Sequence, residues 1–573
     1  MKLKRTADGS PQRVIIQAEY EDRKAIKEGS RGVARYSKND GGWTIPIDPT
    51  IIRELYRRFP DLEVEDGLSS YLQEVREVQS RVLCAPEDCS ELDEKNGLYP
   101  FQRGSVRFLT EIGRGILGHR MGLGKTVIAC KALAHIGATR AVIVCPNAVK
   151  WSWAEHIRRW NDTSPEEIFM LESKSGRLTA KKEEDAVVFK GGGNDRDEQI
   201  EQILQQDSFT LILNYDQLRI HQKTLCGYDY DVIIADEAHR LKDYRAQRTQ
   251  AMVSVSKRTA YLWLLTGTPI RSDYTDIWPL LHMCDPVRFS GYWNFAHTYL
   301  IVAPSMWGGV DILGPQNPEE FNRVLSRYMF RKTKEEVLPE LPEIIYQDIK
   351  LPMSGPQEYQ YKKMEKEFVV TVEKEVKDGQ QIQQVLQAEN VVSQLIRLRQ
   401  ICLTPAVLGG KNSSGKLEAL HDVLEDSLET GRVAIFTCFR GFVPFIEEVV
   451  SNYADYGLIV GGQTTEQRKE VERLLWREQI DVVIGTIQAM GEGLNLQPVK
   501  TAIFTDVDWT PAVNEQAEER IHRADTKESP TVIRLYHPRT VEADIRSVLK
   551  EKEKIVNSTV GKVEAVRKLL SRR

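Results

Sequence analysis

Two series of short, uninterrupted Val/Ile/Leu runs, separated by longer helical stretches, constrain this 573-residue chain more than any other feature. The first comprises AVIVCP (141–146), TLILNY (210–215), DVIIADE (231–237) and AYLWLLTGTP (260–269). The second comprises VAIFTCF (433–439), YGLIV (456–460), DVVIGT (481–486) and TAIFTDVDW (501–509). A strand that buries only one face alternates apolar and polar residues; a strand that is apolar throughout buries both. Helices on both faces of a parallel sheet meet that requirement. The pattern therefore implies an α/β protein with two parallel-sheet lobes.

At about 150 residues per domain the length suggests about four units. The expected boundaries are a small mixed α/β module at 1–60, a linker at 61–96, a first lobe at 97–345, a helical region at 346–412, a second lobe at 413–540 and a C-terminal basic amphipathic helix at 541–573. Charge separates the first two: residues 1–60 carry 13 basic and 8 acidic side chains, residues 61–96 carry 3 and 11. The whole chain has a formal net charge of −5, which excludes a grip on nucleic acid through bulk positive charge. The eight cysteines form no C-x-x-C pair, so neither a disulfide framework nor a zinc site is expected. No apolar run approaches the roughly 18 residues needed to span a bilayer. A monomer without membrane contact is expected, cytoplasmic in a prokaryotic or viral setting and nuclear in a eukaryotic one.

MGLGKT follows the apolar run ILGHR and opens the helical TVIACKALAHI. Gly122, Leu123, Gly124, Lys125 and Thr126 thus form a phosphate cradle. Glycines let backbone N–H groups approach an anion, Lys125 reaches the outer phosphates, and the Thr126 hydroxyl can ligate Mg2+. The strict G-x-x-x-x-G-K-[ST] form is not met, because His119 stands five residues before Gly124. Asp236 and Glu237 end the run DVIIADE 111 residues after Lys125. A carboxylate there can share Mg2+ with Thr126, and its neighbour can orient or deprotonate a water. Gln516, Arg520 and Arg523, spaced by four and three, would share one helical face. Two readings stand for them: arginine fingers reaching a γ-phosphate, or a surface helix salt-bridged by Glu515, Glu518 and Glu519.

Read in order, these segments resemble the Swi/Snf group of superfamily-two helicase motors, ATP-dependent double-stranded DNA translocases. The likeness runs from YPFQRGSVRFL (99–109) through MGLGKT, IVCPNAVKWSWAEH (143–156), LNYDQL (213–218), DEAHRLKD and LLTGTPI (264–270). It continues through YMFRKTKEEVLPELP (328–342), SSGKLEAL (413–420), GEGLNL (491–496) and QAEERIHR. The resemblance implies two RecA-like lobes with helical insertions, ATP and Mg2+ as cofactors, and adenine recognition by Gln102. It also implies that Thr266, Thr437 and Thr486 stand on turns gripping DNA phosphates, contacts that position without reading sequence.

His119 and Arg120 replace the family's acidic pair before MGLGKT. Arg271 and Ser272 replace Gln-Asn, Thr404 replaces a usual His, and Glu492 stands where an apolar residue is usual. GVARYSKNDGGWTIPID resembles the substrate-recognition (HARP-like) module of the annealing helicases. Arg35, Lys38 and Trp43 would contact DNA there, with Trp43 as a core residue the competing reading. The expected activity is sliding on duplex DNA coupled to ATP hydrolysis, with remodelling or reannealing of branched DNA. The alternatives are displacement of proteins such as a polymerase, and an ATP-gated DNA-binding scaffold that does not translocate. A strand-separating RNA helicase is disfavoured by the Swi/Snf-specific blocks.

Overall fold

A computed structural model describes residues 2–5, 13–30, 34–38, 41–46, 49–64, 97–172, 179–190, 195–270, 273–304, 310–338, 340–378, 383–491, 493–523, 526–547 and 549. Arg271, Ser272, Glu492, most of the expected linker and most of the expected C-terminal helix lie outside them. The described residues divide into two compact units: those within 2–120 and 124–333 in the first, and those within 121–123 and 334–549 in the second.

The first unit holds two sheets of different character. In the N-terminal module, β1 (Lys2–Arg5), β2 (Arg13–Gln17), β3 (Arg35–Ser37), β4 (Gly42–Pro46) and β5 (Glu63–Val64) pair in the order β3-β4-β2-β1-β5. Only the β1–β5 pair is parallel. Leu3, Val14, Ile16, Ile45 and Leu55 form its core. Because β5 belongs to this sheet, the module extends past the boundary expected at residue 60.

The large sheet contains β6 (Arg114–Leu117), β7 (Arg140–Val144), β8 (Ile168–Glu172), β9 (Thr179–Lys182) and β10 (Val187–Lys190). It also contains β11 (Phe209–Leu213), β12 (Tyr230–Asp236), β13 (Thr259–Leu265) and β16 (Met329–Phe330), after a hairpin of β14 (Leu300–Pro304) and β15 (Val310–Pro315). The order is β16-β6-β13-β12-β7-β11-β8-β10-β9, parallel except for β9. Ile143, Ile212, Ile234 and Trp263 pack beneath helices on its faces, as uninterrupted apolar strands require.

The second unit holds β17 (Ile345–Lys350), β18 (Arg432–Thr437), β19 (Tyr456–Ile459), β20 (Val482–Thr486), β21 (Val499–Phe504) and β22 (Thr531–Tyr536). They form an all-parallel sheet ordered β17-β22-β21-β18-β20-β19. Two apolar layers cover it, one around Phe436 and Phe504, the other around Ile435 and Ile503. The region expected to be helical from 346 instead opens on β17, and helices Gly355–Asp378 and Gln383–Leu403 follow. The protein is α/β, with two parallel-sheet lobes.

Candidate functional site

Register places the motifs of the first unit on one sheet edge. Leu117 pairs with Leu265 and Phe330, Leu265 with Asp236, and Ala235 with Val144. The residues just beyond these strand ends are therefore Gly118 and His119, Thr266, and Glu237. In open parallel sheets the crevice at the carboxyl ends of the strands is where ligands bind.

The helix Lys125–His135 starts directly from the glycine loop. Gly122 and Gly124 have φ of +78° and +72°, a left-handed conformation that side chains rarely adopt. Gly124 is doubly constrained, since a Cβ there would lie 2.6 Å from Gln102 Nε2. That glutamine sits on helix Pro100–Ile112, where its Oε1 accepts the Tyr99 N–H at 3.0 Å. Lys125 Nζ donates to the carbonyls of His119 (2.9 Å) and Arg120 (3.3 Å), and Thr126 is half-buried beside it.

Asp236 ends β12 in a web of donors. Its Oδ1 accepts the Glu237 N–H (2.9 Å), its Oδ2 accepts the Trp153 indole N–H (2.9 Å), and its carbonyl accepts the Tyr215 hydroxyl (2.5 Å). Burial first, then the neighbouring Glu237, push this carboxyl up to about 6, against the pull of Trp153 and Lys125. Glu237 takes a left-handed φ of 52° and lies 3.2 Å from His239 Nδ1, which also faces Thr266 Oγ1 at 3.3 Å. Trp153 was not singled out by sequence. Its signal was its position in the WSWAEH block, one of the ordered segments.

The second unit corrects one expectation. The helix Pro511–Glu518 carries Gln516 but ends before the arginines, so the three side chains do not share one helical face. Arg520 Nε donates to the Gly491 carbonyl (3.0 Å) and an Arg523 guanidinium N–H to that of Leu494 (2.8 Å). Tertiary partners accompany the early end. Glu518 is buried against Arg534 (2.6 Å) and Tyr346 (3.0 Å), and Glu519 pairs with the buried Lys334, which also donates to the His522 carbonyl (2.7 Å). Two of the three acids of the salt-bridged reading are thus engaged by residues outside that reading.

The threonine expectation also needs correcting. Thr266 and Thr437 are each 0% exposed. The Thr266 hydroxyl accepts the Thr268 N–H (3.1 Å), and that of Thr437 donates to Asp506 Oδ1 (2.9 Å). The Thr266 hydroxyl is engaged within its own turn and that of Thr437 by Asp506 beyond the neighbouring strand β21, so neither is presented to a phosphate. Thr486 is half-buried where β20 meets helix Ile487–Met490. In the N-terminal module Lys38 is exposed and Arg35 lies on β3. Trp43 is half-buried: it packs on the module core, while Tyr36 (58% exposed) meets its ring edge-on at 5.6 Å and Lys27 Nζ lies 5.5 Å from its centroid.

Among the described residues no cluster of His, Cys, Asp or Glu could hold a metal unaided, and no helix is long and apolar enough to cross a membrane. Asp236 and the Thr126 hydroxyl offer hard oxygen donors of the kind Mg2+ favours, to be completed by ligand or water oxygens.

Comparison with known proteins agrees with the motif order. The SNF2-related domain matches residues 80–407, and the helicase conserved C-terminal domain matches 415–525. The chain belongs to the SNF2-related family of the Swi/Snf group. It is 26% identical over 480 residues to the DNA annealing helicase and endonuclease ZRANB3 of Bos taurus, covering 81% of this chain and 40% of that protein. It is also 26% identical over 479 residues to the SWI/SNF-related matrix-associated actin-dependent regulator of chromatin subfamily A-like protein 1 of Xenopus tropicalis, covering 82% and 46%. The chain thus spans less than half the length of these curated relatives. A solved structure, the Sulfolobus solfataricus SWI2/SNF2 ATPase core in complex with dsDNA, is 20% identical; the match covers 83% of this chain and 94% of that one at a TM-score of 0.36.

Proposed function

We propose that the chain is an ATP-dependent translocase on double-stranded DNA that remodels or reanneals branched structures. The observation that carries the reading is the convergence, on one edge of a parallel sheet, of the glycine loop with Lys125 and the Asp236–Glu237 pair. Family membership and the likeness to the DNA annealing helicase and endonuclease ZRANB3 support the choice of substrate.

In this reading Gln102 reads the adenine edge while the Gly122–Gly124 backbone and the Lys125 ammonium neutralise phosphate charge. Asp236 and Thr126 would hold Mg2+, which when bound would neutralise charge developing on the phosphoryl oxygens. Glu237 orients the attacking water and takes its proton. Arg520 and Arg523, each steered by a carbonyl of the 491–496 segment, are the arginines that would meet the γ-phosphate. Because Thr266 and Thr437 face inward, phosphate contact at their turns falls to neighbouring N–H groups and to Thr486. Lys38, Arg35 and the Tyr36–Trp43 pair would meet backbone and unstacked bases at a fork.

Triplex displacement tests translocation: the protein with ATP should strip a third strand from duplex DNA, and Lys125→Ala should not. Duplex-stimulated hydrolysis without displacement would support the ATP-gated scaffold instead. Lys27→Glu with Lys38→Glu should lower affinity for forked over linear DNA while leaving duplex-stimulated hydrolysis intact. An unchanged fork preference would remove the N-terminal module from substrate recognition.

A further inference from the structure

His119, which replaces an acid of the family pattern, is 0% exposed and bonded on every side. Its Nδ1 accepts the Lys332 backbone N–H at 3.0 Å and so carries no proton. Nε2 therefore bears the hydrogen and donates to Ser105 Oγ at 2.6 Å, and the Ser105 hydroxyl in turn donates to the Phe101 carbonyl at 2.6 Å. Phe330 and Phe101 pack edge-on against the ring, with centroids 5.1 and 6.0 Å away. On either side the main chain is tied to the same strand end: Gly118 N–H donates to the Phe330 carbonyl (2.8 Å) and Arg120 N–H to that of Lys332 (3.0 Å).

The two ends of this residue serve different parts of the proposed nucleotide site. Its carbonyl holds Lys125 Nζ at 2.9 Å. Its ring holds Ser105, one helical turn beyond Gln102 on the helix that brings Gln102 against the loop at Gly124. An ionised aspartate could accept the Lys332 N–H but has no proton to give Ser105.

We infer that His119 is a positioning residue that couples the base-reading Gln102 helix to the phosphate-holding Lys125 through the hydrogen-bond chain Lys332 N–H, His119, Ser105, Phe101. The inference rests on the ATP-site reading above. It gives this chain a neutral link, formed by a ring with one donor and one acceptor, at a position where the family pattern has a charge.

The test is a double-mutant cycle of His119→Ala and Ser105→Ala on the full chain. KM and kcat are measured with ATP and with GTP, alongside thermal midpoints. Either substitution should raise KM for ATP about tenfold with kcat within about twofold, and should narrow the preference for ATP over GTP. The double variant should be no worse than the more severe single, because both break one chain. Ser105→Ala removes a single hydroxyl and carries the test where His119→Ala fails to fold. Unchanged KM and base preference in folded variants overturns the inference. So does a lowered midpoint with KM intact, or additive effects on KM. Lys125→Ala separates the two levels: if it leaves ATP hydrolysis intact, the nucleotide-site reading itself is wrong. If it abolishes hydrolysis while His119 and Ser105 prove silent, only the coupling is wrong.

Discussion

Replacing Trp153 by Phe isolates one contact. The indole is 1% exposed and its N–H reaches Asp236 Oδ2 at 2.9 Å, so the substitution keeps the aromatic ring and deletes one of the two N–H donors seen on that carboxylate. A hydrogen bond to an ionised acceptor contributes about 1.5–3 kcal/mol. At about 1.4 kcal/mol per factor of ten, turnover should fall about 10- to 100-fold, the range expected for a residue that orients a metal-binding carboxylate. The loss should shrink as Mg2+ is raised. Trp263→Phe is the matched control: Trp263 is 0% exposed and donates its indole N–H to the Leu109 carbonyl at 3.1 Å, away from Asp236. The assay is duplex-stimulated ATP hydrolysis over a Mg2+ titration for both variants, with thermal midpoints as the folding check. If Trp153→Phe turns over within about twofold of Trp263→Phe at every Mg2+ concentration, the indole does not hold Asp236 for chemistry and the reasoning fails.

Other predictions concern the second unit. Lys416, with a fully buried side chain, donates to Glu542 Oε1 and to the Thr505 carbonyl, each at 2.5 Å. Lys416→Met should destabilise the unit by about 3–5 kcal/mol in urea unfolding, and adding Glu542→Gln should recover most of the loss; a double variant as weak as the sum of the singles would contradict this. His522 is held below its ordinary imidazole value, first by burial and then by Lys334; its Nδ1 faces that ammonium at 3.3 Å and its Nε2 the Pro342 carbonyl at 2.8 Å. The unfolded chain therefore takes up this proton more readily than the folded one, and stability from this residue is full above about pH 6.5 and lost as pH falls below it. The stability gap between wild type and His522→Asn should shrink from pH 7.5 to 5.5, and a constant or widening gap would refute the assignment. Arg520→Ala and Arg523→Ala should keep ATP binding and lose turnover by about 10³-fold or more; binding lost in parallel with rate would point to a structural role.

Sequence exposed the fold where burial was symmetrical. The runs ending at Val144, Leu213, Asp236 and Leu265, and those around Ile435, Ile484 and Ile503, are apolar because both faces of their strands are covered. It hid strands whose surroundings are not symmetrical: β17 is a largely exposed edge strand that reads as polar, and β16 is two residues long. The glycine loop and the acid pair were legible because phosphate chemistry restricts which residues can serve. The supporting contacts were not. Trp153 and Asp236 are 83 residues apart, Lys416 and Glu542 126, and Lys332 and His119 213, so only the folded chain brings them together. The arginine segment failed for a related reason: periodicity assumes the helix continues, and the pairing of Glu518 and Glu519 with Arg534 and Lys334 accompanies its end at Glu518.

The most direct measurement of the central claim is the steady-state ATP hydrolysis rate of the full chain with duplex DNA, single-stranded DNA, forked DNA and RNA at matched nucleotide concentration, with Lys125→Ala as the blank. A double-stranded DNA translocase predicts strong stimulation by duplex and forked DNA, weak stimulation by RNA, and none in the variant. Stimulation by RNA equal to or above that by duplex DNA would contradict it.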